Sequence, residues 1–357
     1  MRATCMEVNI SNFNHNIDQI QKYVGNKELM PVIKANGYGT YINKRIDIIN
    51  RFNIVCVACV DEGIDLRREG YNKDIFILNP PYIEEIDEII DNNLIVGISD
   101  ITFTKELIKK DKKVRVHLEL ETGMNRTGIK IDELDSFIKL IKDTKIEVEG
   151  VYTHLSSADN DIEYTNYQLD LFRKGVEKVK NNFNIKYIHS NASNGLLNYK
   201  DELTNLVRPG IIMYGYESFD GVKDIIDIKP ICKLKTKIIF LKDVKKGESI
   251  SYSRTYKADK NIKVATIPIG YADGFRRSLS NKGYVVVNNR IVPIIGNVCM
   301  DSCMIDVSDI DVKIGDDVYI WDNDLIKLED LSTKCDTINY EIMSTISYRV
   351  PRIFVEE

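Results

Sequence analysis

The sequence lacks long apolar segments and an excess of charge of either sign. No run approaches the roughly eighteen uncharged apolar residues that would cross a membrane, and the first residues carry no apolar signal region. The 49 Lys and Arg residues and 54 Asp and Glu residues are spread along the chain and give a net charge of −5. We therefore expect neither nucleic acid nor membrane as a partner, and we predict a cytoplasmic protein.

Cysteines are few and odd in number, which argues against a disulfide framework. The seven cysteines of this 357-residue chain indicate reduced thiols. Cys56 and Cys59 have the spacing of a redox or metal pair, but they lie in a run typical of a strand, where residues three apart point to opposite faces. Cys299 and Cys303 have no second pair of ligands beside them. We therefore predict core packing for Cys56 and Cys59, and no metal site.

Apolar β-branched runs alternate with helical patterns between residues 29 and 215. The candidate strands begin near Leu29, Ile54, Ile75, Leu94, Val114, Ile146, Ile185 and Leu206, with amphipathic segments such as 82–92 and 131–143 between them. Eight such units, with strands that are nearly continuous apolar runs, favour an α/β fold in which a (β/α)8 barrel of the TIM type closes. An open doubly wound sheet is the alternative.

After Lys229 the pattern changes to short strands separated by Lys-Gly, Asn-Asn and Gly-Asp turns, with little helical periodicity. The predicted strands are 231–241, 263–269, 284–287, 291–295, 304–307 and 317–321. We therefore divide the chain into a barrel domain, residues 1–228, and a C-terminal mostly-β domain, residues 229–357. Packing of the first few residues on the β domain is compatible with this division.

Polar residues collect where the predicted barrel strands end. Lys34 leaves an apolar run and enters a glycine-rich turn within residues 31–39, a poor position for a solvated charge. The others are Glu119, Arg126, His154, residues 190–194 and Arg208. Because barrel enzymes build their sites at the carboxyl ends of the strands, this convergence predicts an active site and disfavours a snorkelling or ion-paired Lys34.

The residue types at this rim suggest a phosphorylated aldehyde as cofactor. A lysine in such a place can form an imine with a carbonyl compound. Ser193 and the Gly210–Ile211 backbone fall where barrels commonly bind phosphate. Arg208 would suit a pyridine nitrogen that is kept unprotonated, which weakens the electron sink and favours simple proton exchange. Pyridoxal 5′-phosphate held by Lys34 fits this set.

Eight motifs resemble those of the bacterial alanine racemases, in the order that the family has them. They are Val32-Ile-Lys-Ala-Asn-Gly-Tyr-Gly39, Glu121-Thr-Gly-Met-Asn-Arg-Thr-Gly128, Tyr152-Thr-His154, Val207-Arg-Pro-Gly-Ile211, Ile250-Ser-Tyr-Ser253, Ile267-Pro-Ile-Gly-Tyr-Ala-Asp-Gly274, Gly296-Asn-Val-Cys-Met-Asp301 and Thr345-Ile-Ser-Tyr-Arg-Val-Pro-Arg352. The resemblance implies a pyridoxal-phosphate barrel with a C-terminal β domain, working as a homodimer whose sites are shared between subunits. It also implies interconversion of L- and D-alanine, which would supply D-alanine for peptidoglycan.

The resemblance also assigns roles to residues. Lys34 corresponds to the lysine that binds the cofactor and acts as a base on one face of the α-carbon, and Tyr252 of the other subunit corresponds to the opposing base. Two bases are needed because one removes the proton and the other returns it. The remaining positions are His154 and Arg208, linking the tyrosine to the pyridine nitrogen, Tyr38, Ser193, Gly210, Ile211 and Tyr348 at the phosphate, and Arg126, Tyr271 and Met300 near the substrate.

Some positions depart from the family pattern. Many members have a lysine at the position of Glu119, carbamylated so that its carboxylate orients the arginine seven residues later. We hypothesise that the carboxylate of Glu119 pairs directly with Arg126. Gly37 and Thr40 stand where the family usually has alanine and histidine, and Ala192 stands in place of an asparagine. These changes bear on substrate preference and cofactor affinity.

Three other functions remain possible. A serine or broader-specificity racemase is one, although the ring of Tyr348 narrows the pocket and favours alanine. A carrier of pyridoxal phosphate without racemase activity is another, but it would have no need of Tyr252 as a second base. A decarboxylase with similar domains is disfavoured by the match at Ser251-Tyr-Ser253 and Cys299-Met-Asp301.

Overall fold

The computed structural model describes residues 3–356, and within this range it contains twenty strands. They are β1 (Cys5–Asn9), β2 (Glu28–Leu29), β3 (Ile54–Val57), β4 (Asp74–Ile77), β5 (Ile95–Ile98), β6 (Val114–Glu121), β7 (Ile129–Lys130), β8 (Ile146–Tyr152), β9 (Tyr187–His189), β10 (Leu206–Val207), β11 (Cys232–Lys237), β12 (Phe240–Val244), β13 (Ser249–Ile250), β14 (Tyr256–Lys257), β15 (Ile262–Ile267), β16 (Tyr284–Val287), β17 (Arg290–Ile295), β18 (Cys303–Asp306), β19 (Asp317–Trp321) and β20 (Arg352–Val355).

Helical segments of two kinds lie between these strands. The α-helical ones are α1 (Ile10–Val24), α2 (Lys34–Tyr38), α3 (Ile46–Ile49), α4 (Val60–Arg68), α5 (Ile86–Asp91), α6 (Ile101–Lys109), α7 (Leu134–Ile141), α8 (Ile162–Lys180), α9 (Ser193–Asn198), α10 (Val222–Ile225), α11 (Leu328–Lys334) and α12 (Asn339–Ser344). Short 3-10 turns occupy Ile42–Lys44, Ile83–Glu85, Ile211–Tyr214, Tyr252–Arg254, Tyr271–Asp273 and Arg277–Leu279.

The first part of the chain forms a closed parallel barrel. Strands β3, β4, β5, β6, β8 and β9 pair in parallel in that order, and β10 pairs in parallel with β2. Main-chain hydrogen bonds close the ring. Ile33 N–H donates to Cys56 O at 2.9 Å, and Asn205 N–H donates to Ile188 O at 3.1 Å. The predicted (β/α)8 barrel is confirmed, and the alternative prediction of an open doubly wound sheet is wrong.

Several barrel strands are apolar because both of their faces are covered. Every residue of β3, β5 and β9 is buried, as expected where side chains fill the barrel interior on one face and meet helices on the other. Helix α1 shows how an amphipathic helix covers such a sheet. Asn9 Oδ1 caps it by accepting from Asn12 N–H at 2.8 Å. Its buried face repeats every three or four residues, at Ile10, Phe13, Ile17 and Ile20.

The second part of the chain is mostly β and confirms the predicted architecture. Nine strands form one sheet in the order β12, β15, β18, β17, β16, β19, β11, β1, β20. Strand β1 lies in this sheet, antiparallel to β11 and parallel to β20. The sequence patterns missed the two-residue strands β13 and β14, which pair with each other, and helices α11 and α12. No helix in the described range is both long and apolar enough to cross a membrane.

Candidate active site

A cavity of about 480 Å³ opens at the carboxyl ends of the barrel strands. Its lining includes six of the residues that the sequence nominated, namely Lys34, Tyr38, His154, Ser193, Arg208 and Gly210. Ile211 follows Gly210 and is buried. A cavity of this size lies in the range for small-molecule cofactors. The barrel therefore gathers these side chains at one rim.

Lys34 enters the cavity from a turn with unusual backbone geometry. Residues 35–38 are all in the left-handed region, with φ between 52° and 61°, and Gly39 follows at φ 81°. Gly37 N–H donates to Ile33 O at 2.9 Å, and Gly39 N–H donates to Ala35 O at 2.8 Å, so the turn is hydrogen-bonded like one turn of a left-handed helix. Such a conformation is unfavourable for residues with a Cβ, and it is typical of functional sites.

A cluster of polar groups forms a cradle elsewhere in the cavity wall. Gly210 N–H donates to Ser193 Oγ at 3.0 Å. A Cβ at Gly210 would lie 2.7 Å from the hydroxyl oxygen of Tyr38, so only glycine lets that hydroxyl approach the backbone. Tyr38 is held in place by rings, with its centroid 4.8 Å from Tyr214 and 5.9 Å from Tyr340. The hydroxyls of Tyr38 and Ser193 therefore both lie close to the backbone of Gly210, where they can donate to an anion.

Arg208 crosses the base of the cavity and is almost fully buried. Its Nη1 donates to His189 Nδ1 at 2.5 Å and to His189 O at 3.1 Å. Its Nη2 donates to Thr153 O at 2.8 Å, Ser190 O at 3.1 Å and His154 Nδ1 at 3.2 Å. Among the described residues, none accepts from Nε, so one donor of this guanidinium is available to a ligand.

The imidazoles around Arg208 are held neutral. Burial, together with the charge of Arg208, lowers the pKa of His154 to about 3 and that of His117 to about 3. The pKa of His189 is also lowered, first by burial and then by Arg208. Because arginine only donates, both imidazole nitrogens that it contacts must be acceptors. The proton of neutral His154 therefore lies on Nε2.

The four nominated residues of the second part of the chain do not line this cavity. Tyr252, Tyr271, Met300 and Tyr348 are exposed, with exposed fractions of 72%, 44%, 52% and 85%. Hydrogen bonds nevertheless connect their segments. Tyr271 N–H donates to Cys299 O at 3.0 Å, and Arg349, next to Tyr348, donates to Asp301 Oδ1 at 2.7 Å. Within one chain, the structure brings together the barrel residues but not these four with them.

Family models for the alanine racemase N-terminal domain and C-terminal domain match residues 8–218 and 231–354. Alanine racemases of Clostridium novyi and Clostridium kluyveri are 34% and 36% identical to this chain, covering 100% and 99% of it and 96% and 95% of their own lengths. This chain belongs to the alanine racemase family. The structure of alanine racemase from Clostridium difficile 630 aligns with a TM-score of 0.95 at 31% identity, covering 99% of this chain and 96% of that one. The alanine racemase of Bacillus anthracis with bound L-Ala-P aligns with a TM-score of 0.94 at 32% identity, covering 100% of this chain and 96% of that one.

The direct pairing of Glu119 with Arg126 that we hypothesised for this alanine racemase family member is wrong. Glu119 Oε1 accepts from the Thr127 hydroxyl at 2.7 Å, and no ion pair joins Glu119 to Arg126 in the described part of the chain. Glu119 is buried and Arg126 is exposed, although both line one narrow crevice beside His154. Burial raises the pKa of Glu119, since it disfavours the charged carboxylate that an ion pair would need.

Two other departures from the alanine racemase pattern have a structural basis. Thr40 Oγ1 donates to Gly37 O at 2.6 Å and accepts from Ile42 N–H at 3.2 Å, which closes the left-handed turn. A Cβ at Gly37 would lie 2.7 Å from Ile42 Cγ2. Gly37 and Thr40 therefore fit each other in this chain. Ala192 lines the cavity next to Ser193 and directly precedes α9.

The sequence did not reveal several residues of this site. His117 Nδ1 lies 2.8 Å from His189 Nε2, below Arg208, and the ring of Tyr152 stacks on His189 at 5.0 Å. The alternation of a strand could have indicated His117, because it lies two residues before Glu119 and so shares its face. Tyr340 lines the cavity from α12, a helix whose apolar period was not recognised.

Proposed function

We propose that this protein interconverts L-alanine and D-alanine with pyridoxal 5′-phosphate, using Lys34 and Tyr252 as the two bases, and that it thereby supplies D-alanine for peptidoglycan. Membership of the alanine racemase family supports the reaction. The observation that carries the site assignment is the single cavity that Lys34, the Ser193 and Gly210 cradle, and Arg208 line together.

The residues present fit the cofactor. Lys34 would hold its aldehyde carbon, and Tyr38, Ser193, Gly210 and Ile211 would hold its phosphate in the cradle. The free Nε of Arg208 would donate to its ring nitrogen. When bound, the cofactor withdraws electrons from the α-carbon of the amino acid, which makes the α-proton acidic.

Proton movement at the α-carbon requires a base on each face. Lys34 Nζ would serve one face, because its side chain reaches the cavity and, among the described residues, it makes no ion pair or hydrogen bond. Tyr252 would serve the other face. His154 can assist the tyrosine, since its Nε2 carries the proton and can donate to a phenolic oxygen while Arg208 holds Nδ1.

Tyr252 would reach the cavity from a second copy of the chain. Its ring is 72% exposed, and Tyr271, Met300 and Tyr348 lie on connected segments that are also exposed. We propose that this face of each subunit covers the barrel mouth of its partner in a homodimer, where Tyr348 would contact the phosphate and Arg126, Tyr271 and Met300 would lie near the substrate. Glu119 would support this site through Thr127.

We also propose that the domain boundary lies near residue 228. The family models for the two domains end at residue 218 and begin at residue 231, which supports this position. The cytoplasmic location stays a prediction from the sequence, and fractionation of the cells that make the protein would test it.

Absorption spectroscopy and hydrogen exchange test the proposed function. The purified protein should have a visible absorption band that borohydride abolishes, and Lys34→Ala should lack it. In D₂O, the protein should exchange the α-hydrogen of L- and D-alanine and convert each into the other. A protein without the band would contradict the cofactor, whereas exchange on serine but not on alanine would overturn the substrate. A band without any exchange would indicate a carrier.

A further inference from the structure

Tyr252 lies in a turn whose backbone is unfavourable for its residues. Ser251 has φ 67° and ψ −178°, a region used almost only by glycine, and Ser253 and Arg254 follow at φ 59° and 52°. Three residues with a Cβ therefore surround the tyrosine in strained conformations. Such a turn persists only if its surroundings hold it, so the groups that bind it determine where the tyrosine points.

Asn297 makes the contacts that hold this turn. Its Nδ2 donates to Tyr252 O at 2.7 Å, and its main-chain oxygen accepts from Ser251 Oγ at 2.6 Å. The side chain of Asn297 is well buried, with an exposed fraction of 7% for the residue. Both the residue before the ring and the residue that carries it are therefore tied to one asparagine.

The segment that contains Asn297 also holds the neighbouring candidate residues. Tyr271 N–H donates to Cys299 O at 3.0 Å, and Ala272 N–H donates to Met300 O at 3.0 Å. Gly296 N–H donates to Asn281 Oδ1 at 2.6 Å, which fixes the start of the segment. Residues 296–300 thus form a common support for Tyr252 and Tyr271.

We infer that Asn297 is a positioning residue that aims Tyr252 at the α-carbon in the partner's site. The inference rests on the proposed role of Tyr252 as a base. Asn297 does not touch the substrate itself. Its loss would let the strained turn relax, and because proton transfer demands close alignment, a shift of about 1 Å can reduce the rate by about a hundredfold. The rates of steps in which only Lys34 transfers the proton would not change.

The test uses Asn297→Ala and, as a second variant that removes the other contact, Ser251→Ala. Asn12→Ala is the matched control, because Asn12 Nδ2 also donates to a main-chain oxygen, Pro230 O at 2.9 Å, but lies away from Tyr252. For each dimeric holoenzyme, NMR follows the loss of the α-hydrogen to D₂O from unconverted L- and D-alanine at early times. The equilibrium constant of racemisation fixes the ratio of kcat/KM in the two directions for every variant, so racemisation rates cannot distinguish the two bases. The exchange of the α-hydrogen in alanine that has not been converted can distinguish them.

We expect Asn297→Ala to slow this exchange by about tenfold more for one enantiomer than for the other, and Tyr252→Phe should do so to a larger extent. Asn12→Ala should leave the ratio of the two exchange rates unchanged. In the enzyme without substrate, the main-chain amides of residues 251–254 should exchange with D₂O faster in Asn297→Ala than in the wild type. If Asn297→Ala does not fold, Ser251→Ala should change both measurements in the same direction.

Two results separate this inference from the proposed function. An unequal effect of Tyr252→Phe, together with equal effects of Asn297→Ala and Ser251→Ala on both enantiomers, would overturn the positioning role and leave the two bases intact. An equal effect of Tyr252→Phe on both enantiomers would overturn the two-base assignment and the inference with it. Unchanged amide exchange in residues 251–254 would also overturn the role of Asn297.

Discussion

Arg208 donates to His189 Nδ1 at 2.5 Å, and this contact determines the tautomers of a buried row of imidazoles. Since His189 Nδ1 accepts, its proton lies on Nε2, which donates to His117 Nδ1 at 2.8 Å. Nε2 of His117 then carries a proton that has no acceptor among the described residues. Arg208 is therefore held by a buried neutral imidazole. Protonation of that imidazole would place a second positive charge beside the arginine, which costs free energy.

Acid should destabilise the protein through this row. Burial, followed by the charge of Arg208, lowers the pKa of His117 to about 3 from a reference of 6.5. Below pH 6.5 the unfolded state therefore binds a proton that the folded state does not, so the free energy of unfolding falls as the pH falls. A fully shifted imidazole contributes about 2 kcal/mol to this loss between pH 8 and pH 5. Urea unfolding at both pH values measures it.

The check on this acid effect is a variant of His117. His117→Phe keeps a ring to stack on Phe76, whose centroid lies 4.6 Å from that of His117, and it should reduce the dependence of the free energy of unfolding on pH. An identical slope in His117→Phe and in the wild type would contradict the assigned pKa.

Glu119→Gln should stabilise the protein at alkaline pH. Burial raises the pKa of Glu119, so the carboxyl contributes stability that is fully present below its unfolded pKa and is lost as the pH rises through its folded pKa. Glutamine keeps an oxygen for the Thr127 hydroxyl and carries no charge. Thermal unfolding should therefore show a higher Tm than the wild type at pH 8 and little difference at pH 4, and racemisation should persist.

A gain that is the same at both pH values would contradict this account of Glu119. Thr127→Val offers the complementary test, because it removes the 2.7 Å hydrogen bond from the Thr127 hydroxyl to Glu119 Oε1 and nearly keeps the shape of the side chain. It should destabilise the protein by about 1 kcal/mol, since the buried carboxyl would lose the hydrogen bond that Thr127 donates.

Gly210→Ala should weaken cofactor binding. The new Cβ would lie 2.7 Å from the Tyr38 hydroxyl oxygen, so the hydroxyl has to leave the cradle. We expect the Kd for pyridoxal phosphate, measured by titration of the apoprotein, to rise by about tenfold or more. This change corresponds to the loss of about one charge-assisted hydrogen bond. Gly247→Ala is the control for general destabilisation, because alanine is strained at its φ of 88° while nothing lies within 4 Å of the new Cβ. Unaltered affinity in Gly210→Ala would remove the cradle from the phosphate site.

The barrel was predictable because strands such as β3 and β5 are short apolar runs buried on both faces, a pattern that does not depend on distant parts of the chain. The left-handed turn at residues 35–38 was not predictable. Only Gly37 indicates such a turn in the sequence, and the geometry of the turn depends on its packing against Ile42. The sequence also did not predict Tyr340 or the contact of Asn297 with Tyr252. The position of Tyr340 depends on how the β domain packs on the barrel, and the Asn297 contact depends on the turn between the two-residue strands β13 and β14. The Glu119 prediction failed because charge complementarity was considered without burial.

Sharing of sites between subunits gives the last prediction. If each site combines Lys34 of one subunit with Tyr252 of its partner, Lys34→Ala and Tyr252→Phe should each be nearly inactive alone. Dimers that contain one subunit of each kind have one site with both native residues and one site with neither. Random mixing after dissociation should therefore restore activity in about a quarter of all sites, because half of the dimers of a two-fold assembly are mixed.

The racemisation rate of the mixture, followed by circular dichroism against the unmixed variants, measures this recovery. Mixing Lys34→Ala with a double variant Lys34→Ala, Tyr252→Phe is the control, and it should restore nothing because no site then contains Lys34. Activity that stays at the level of the unmixed variants, despite mass spectrometric evidence of mixed dimers, would mean that Tyr252 does not act across the interface. Since the ring is 72% exposed within one chain, its role as the second base would then lack a site in which to act.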